Sequence, residues 1–71
     1  MVQLVYTAHA RSRMQQRHIT EEEAQEAWDH PEIAYADRRG NLVHVGRVRG
    51  RRIKVVVARG SDPPKVITVA D

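Results

Sequence analysis

The 71-residue chain has no cysteine and no phenylalanine, and its only aromatic side chains are Tyr6, Trp28 and Tyr35. Without cysteine, neither a disulfide nor a thiolate metal site can staple the fold. Aromatic platforms of the kind that stack splayed bases are correspondingly scarce. No apolar run approaches the roughly 20 residues that cross a bilayer, so no membrane partner is expected. The opening Met1-Val2-Gln3-Leu4-Val5 lacks a basic segment followed by an apolar stretch, so no secretory signal is expected either. These absences predict a soluble, cytoplasmic domain. The glycines Gly40, Gly46, Gly50 and Gly60 are scattered and form no phosphate-cradling or dinucleotide fingerprint. His9, His18, His30 and His44 show no i, i+4 spacing, so neither a metal nor a cofactor is expected. Ser12 and Ser61 have no adjacent base to activate them. A single domain this small buries only about 60% of its unfolded surface, which argues against a deep small-molecule site.

Charge is present, and its distribution matters more than its sum. The chain has 12 basic and 9 acidic residues, a net +3, and ten of the twelve bases are arginine. Residues 1–20 carry Arg11, Arg13 and Arg17 without an acid, whereas residues 21–37 carry seven acids without a base. Residues 38–59 reverse the sign with Arg38, Arg39, Arg47, Arg49, Arg51, Arg52, Lys54 and Arg59, a run of +8. Such segregation points to a polyanion or an acidic protein as partner of the second half. The competing expectation is that the acidic segment neutralises the basic one within the monomer.

Local signals divide the chain in two. Val2–Tyr6 is short, apolar and β-prone, and reads either as an opening strand or as an extended lead-in. Thr7 can cap a helix from Ala8 to about Arg17. Thr20-Glu21-Glu22-Glu23 matches a capping box for a second helix. That helix should run to about His30, since Pro31 disfavours helical geometry in the residue before it. Trp28 shares a face with Ala24 and reads as core. Strands follow over Ile33–Arg38, Leu42–Arg49, Arg52–Arg59 and Lys65–Ala70, separated by Gly40-Asn41, Gly50 and the Gly60–Pro64 loop. Short connections favour antiparallel neighbours. The expected fold is α+β, with two N-terminal helices packed on one face of a mainly antiparallel sheet of about four strands.

Two sets of residues could carry chemistry. On the first helix Ala10, Arg13, Met14 and Arg17 form one inward stripe. A partly buried guanidinium there needs a carboxylate, carbonyls or a bound anion. His9 lies one turn before Arg13, placing a proton-transfer group beside a candidate phosphate clamp. On the most apolar strand, Ile53, Val55 and Val57 should face the helices, and Arg52, Lys54, Val56 and Ala58 the opposite side. In the preceding strand the register is open: Val43, Val45, Arg47 and Arg49 alternate with Leu42, His44, Gly46 and Val48. An uncovered sheet face lined by cations, with His44 and Thr68 as further candidates, would suit an RNA backbone.

The segment His9-Ala10-Arg11-Ser12-Arg13-Met14-Gln15-Gln16-Arg17-His18-Ile19-Thr20 resembles the opening motif of a family of small bacterial domains of unknown function, His-Ala-x-x-Arg-Met-x-x-Arg-Gly-Ile-Ser. Here His18 stands in place of the glycine and Thr20 in place of the serine. The resemblance continues through the acidic helix to the closing Val66-Ile67-Thr68-Val69. In element order that family is similar to the RelE-like and BrnT-like ribonucleases of toxin–antitoxin pairs. What the resemblance implies is a metal-free, mRNA-interferase-like endoribonuclease with RNA as partner and an antitoxin protein as restraint. On that reading His9 or His44 transfers protons, Arg13, Arg17 and Lys54 contact phosphate, and Arg52 and Arg59 add positive field. The alternatives are a non-catalytic nucleic-acid or protein-interaction module, and a homodimer joined through an exposed sheet edge.

Overall fold

A computed structural model of the chain describes residues 2–71. Its elements are β1 (Val5–Tyr6), α1 (Ala8–Arg17), α2 (Glu21–Asp29), β2 (Ile33–Ala36), β3 (Leu42–Val48), β4 (Arg51–Val57) and β5 (Lys65–Ala70). Both helix starts follow from local chemistry. The Thr7 hydroxyl accepts the Ala10 N–H at 3.0 Å. At α2, Thr20 Oγ1 accepts the Glu23 N–H at 3.1 Å while Glu23 Oε1 accepts the Thr20 N–H at 2.9 Å, closing the capping box. The end of α1 is a Schellman turn. His18 adopts left-handed geometry (φ 56°), its N–H donates to Gln15 O, and the Ile19 N–H donates to Met14 O at 2.8 Å. His18 thus occupies the conformation that a glycine adopts without strain.

The sheet has five strands in the order β1-β5-β4-β3-β2. β2 through β5 form an antiparallel meander, and β1 pairs parallel with β5. The fifth strand, beyond the expected four or so, is the opening segment, which the sequence left between a strand and an extended lead-in. The lead-in segment is a strand because the Val5 N–H donates to Pro64 O and the Thr7 N–H to Val66 O, both at 3.0 Å. Strand bounds also shift. β2 stops at Ala36 because Asp37 folds the chain back, its Oδ1 accepting the N–H groups of Arg39 and Asn41 at 2.9 Å. Arg49 and Gly50 both have positive φ (54° and 78°) and make a two-residue turn between β3 and β4. Ala58 falls just beyond β4.

Both helices lie on one face, α1 along β5 and α2 along β3 and β4. Between the layers, Ala10, Met14, Ala24 and Ala27 pack against Val48, Ile53, Val55, Val57, Val66 and Val69, all buried. Gly46 sets how closely α2 approaches, since a Cβ there would lie 2.8 Å from Ala27 Cα and 2.9 Å from Ala27 O. That contact resolves the open register of β3: Gly46, with His44 and Val48, faces the helices, and Val43, Val45 and Arg47 face away.

Candidate nucleic-acid interface

The face away from the helices is built by residues of one parity on each strand. Antiparallel pairing sets Arg47 directly opposite Arg52, Val45 opposite Lys54, and Val43 opposite Val56, with Thr68 beside Val56 on β5. Val43, Val45 and Val56 are buried with Ile67 packed against them, although no helix covers this side. Long cationic neighbours can spread their stems over such a floor while keeping their charges in water. Arg52 and Lys54 are exposed, and among the described residues neither has a carboxylate within 4 Å. Arg47 Nε reaches Glu32 Oε2 only at 3.7 Å, with both side chains about half exposed. Like charges directly opposite on neighbouring strands oppose pairing, so Arg47 facing Arg52 is a cost in the absence of an anion.

The remaining sequence-derived candidates occupy other surroundings. His44 lies under α2, its ring stacked on Trp28 with centroids 3.6 Å apart and planes 15° from parallel. Its Nδ1 is 2.8 Å from Trp28 O. A carbonyl oxygen only accepts, so Nδ1 carries the proton and the imidazole serves as a strut between strand and helix. Trp28 itself is half-buried and packs on the core, as its helix position suggests. His9 is exposed on α1, and Arg13, one turn later, is half-buried with its Nε shielded from water and lacking a hydrogen-bond partner. Arg17 is exposed rather than inward as its place in the helical stripe predicts, because α1 ends beside it, and its guanidinium lies 3.7 Å from Asp71 Oδ1. Arg59 sits beyond the far end of β4 from Arg52, its N–H donating to Asn41 Oδ1 and its side chain against Gly40 at the β2–β3 turn. Of the seven candidates, only Arg52 and Lys54 share the uncovered sheet face, and Arg47 joins them.

A residue that no local pattern singled out is Arg51. Its guanidinium donates to His18 O at 2.9 Å and to Arg17 O, and holds Asp71 Oδ2 at 2.7 Å. It therefore caps the carbonyl end of α1 from the start of β4. The Arg51 hydrogen bond holds the Asp71 carboxyl below the usual carboxylate range, aided by the charges of Arg51 and Arg17.

The acidic residues of α2 lie on the helix side of the molecule. Gln3, Leu4 and Tyr6 with Glu21, Glu22, Gln25, Glu26, Asp29 and His30 line a groove of about 580 Å³. Burial, reinforced by the Glu21 carboxylate, pushes the Tyr6 phenol up to about 12, and Arg11, stacked 5.2 Å over its ring, acts in the opposite sense. An anionic polymer would be repelled there. Among the described residues no three His, Asp or Glu side chains converge as metal ligands. No described helix is long and apolar enough to cross a membrane.

Residues 6–71 match the family model described as Domain of unknown function (DUF4258). The chain belongs to the DUF4258 family. That assignment covers both helices, strands β2 to β5 and the cationic face alike, so the whole arrangement lies inside the family's domain. No curated protein and no solved structure matched the chain.

Proposed function

We propose that this DUF4258 domain binds RNA through the uncovered face of its sheet, with Arg47, Arg52 and Lys54 contacting the phosphate backbone. The observation that carries this reading is the incomplete internal neutralisation of charge. Among the described residues four ion pairs form, and only Glu32–Arg47 joins the acidic segment to the basic one. Five of the seven acids of that segment lie on α2, on the helix side, while Arg52 and Lys54 stand on the opposite face beside the like-charged Arg47. A phosphate chain would relieve that repulsion and release counterions.

Fluorescence anisotropy with a single-stranded RNA at varied salt tests the proposal. Wild type should bind with affinity falling steeply with salt. R52Q/K54Q should bind weakly and flatten the log–log slope by about 1.4, at roughly 0.7 per lost phosphate contact. Equal binding by the double variant, or none by wild type at low salt, overturns it.

One observation favours a second reading, metal-free cleavage in the manner of the RelE-like and BrnT-like toxins. The shielded, unpartnered Nε of Arg13 lies one turn from the exposed His9, where a phosphate could be held beside a proton-transfer group. Incubating the protein with total RNA in chelator decides between the two. Cleavage abolished by H9A or R13A supports the ribonuclease, and intact RNA supports binding alone.

A further inference from the structure

The two edges of the sheet are finished differently. β1 is two residues long and turns at once into α1, which blunts that edge. At the other edge β2 is four residues, Ile33-Ala34-Tyr35-Ala36, all exposed and none charged or proline. Natural edge strands commonly carry charges, prolines or bulges against unwanted pairing, and this strand has an apolar face instead. Two of the large exposed apolar side chains, Ile33 and Tyr35, each 46% exposed, lie together on its uncovered-face side, while Leu42, paired with Ala36, lies on the helix side.

The backbone of β2 is prepared for another strand. The Asp37 N–H donates to Asn41 O at 2.9 Å, and the same register pairs Tyr35 with Val43 and Ile33 with Val45. Within β2 the odd-numbered residues Ile33 and Tyr35 therefore turn their backbone groups toward β3, as does the N–H of Glu32 just before it, which donates to Val45 O at 2.7 Å. By the alternation of an antiparallel ladder, the N–H and C=O of Ala34 and Ala36 point outward. Among the described residues no element lies beyond β2 to receive them.

We propose that β2 is a self-association edge, and that two copies pair their β2 strands antiparallel about a two-fold axis passing between Tyr35 and the partner's Tyr35. In this register Ala34 exchanges both backbone hydrogen bonds with the partner's Ala36, and Ala36 with the partner's Ala34. Every outward group of the strand is satisfied. The two Tyr35 residues form the non-hydrogen-bonded pair, where opposed side chains come closest. The flanking charges are self-complementary: Glu32 precedes the strand and Arg38 and Arg39 follow it, so each acidic start lies beside a basic end. The product is one sheet of ten strands, with both uncovered faces on the same side. The inference rests on the edge alone and does not require RNA binding.

Sedimentation equilibrium in nucleic-acid-free buffer tests it. The mass should rise with concentration from 8.1 kDa toward twice that value. A monomer mass maintained to about 1 mM overturns the proposal. Y35E and Y35K should each be folded by circular dichroism and monomeric, because like charges then meet at the axis, and an equimolar mixture should dimerise. Dimers of either variant alone, or no dimer in the mixture, overturn it. Y35C probes the same register without a charge change, since it carries the protein's sole thiol. Opposed Cα atoms at about 4.5 Å allow a disulfide, so mild oxidation should link it rapidly. Linkage no faster than for V2C, outside the β2 edge, also overturns the proposal.

Discussion

His18 shows how one side chain can sit against the preference of its backbone. The Schellman turn that ends α1 requires left-handed geometry at this position, and an L-residue with a Cβ is strained there by about 1–2 kcal/mol. Its side chain is exposed and makes no hydrogen bond among the described residues, so nothing local offsets the strain. H18G should therefore stabilise the fold by roughly 0.5–1 kcal/mol after the added flexibility of the unfolded chain is deducted. Thermal melting should show a rise of a few degrees, and a fall would disprove the strain. Glu23 gives a second residue-scale test. The hydrogen bond from the Thr20 N–H holds its carboxyl below the ordinary 4.5. Because the folded value is depressed, the associated stability is present above pH 4.5 and is lost as pH falls through the folded value. E23Q keeps an acceptor for Thr20 but cannot titrate. Its melting temperature should lie below wild type at neutral pH, and the gap should close in acid. A gap constant from pH 7 to pH 2 would assign the effect to something other than ionisation.

At the scale of elements, what was legible depended on how far apart the determining residues lie. The capping box at Thr20 and Glu23 is complete within four residues, and α2 begins where it indicates. β1 was ambiguous because a two-residue strand has no period, and its partners are some sixty residues downstream. The register of β3 was open because both parities carry apolar residues, valines on one side and Leu42 and Val48 on the other. Packing decides it: the bare Cα of Gly46 admits Ala27, and the His44 ring fills the space beside Trp28. His44, a candidate acid or base by residue type, is thereby a packing element, and no sequence spacing announces a stack between positions 28 and 44. G46A should accordingly destabilise the protein by about 1–3 kcal/mol in chemical denaturation, the usual cost of overpacking a tight contact. An unchanged midpoint would mean that α2 can shift outward freely.

For the whole molecule, the sign reversals along the chain survive folding only in part. Five acids lie on α2, and Arg47, Arg52 and Lys54 lie on the far side of the sheet, but Arg51 of the same basic run caps the end of α1 and Arg59 lies at the β2–β3 turn. Parity on β4 already sets Arg52 and Lys54 together on the face away from the helices, whereas Arg47 could not be placed there from sequence, because Arg47 and His44 exchange sides with a one-residue slip. Nor could Arg51 be separated from its neighbours. It is one of two adjacent arginines, and only the strand's parity sends Arg52 to the uncovered face and Arg51 to the carbonyls of Arg17 and His18. The inward stripe on α1 likewise divides. Arg17 is exposed beside Asp71, and only Arg13 is half-buried, its Nε without a partner.

The parallel pairing of β1 with β5 has a consequence for how the chain is made. A polypeptide leaves the ribosome from its amino end, so Val5 and Thr7 emerge some sixty residues before Pro64, Val66 and Ile67, their hydrogen-bond partners. Closing a span of that length costs entropy before any contact repays it. Until β5 arrives, β4 has an open edge, α1 has no strand beneath it, and the carboxylate of Asp71 is missing from the guanidinium of Arg51. The architecture thus defers completion of its core until β5 is made, and a chain lacking β5 could not close its sheet.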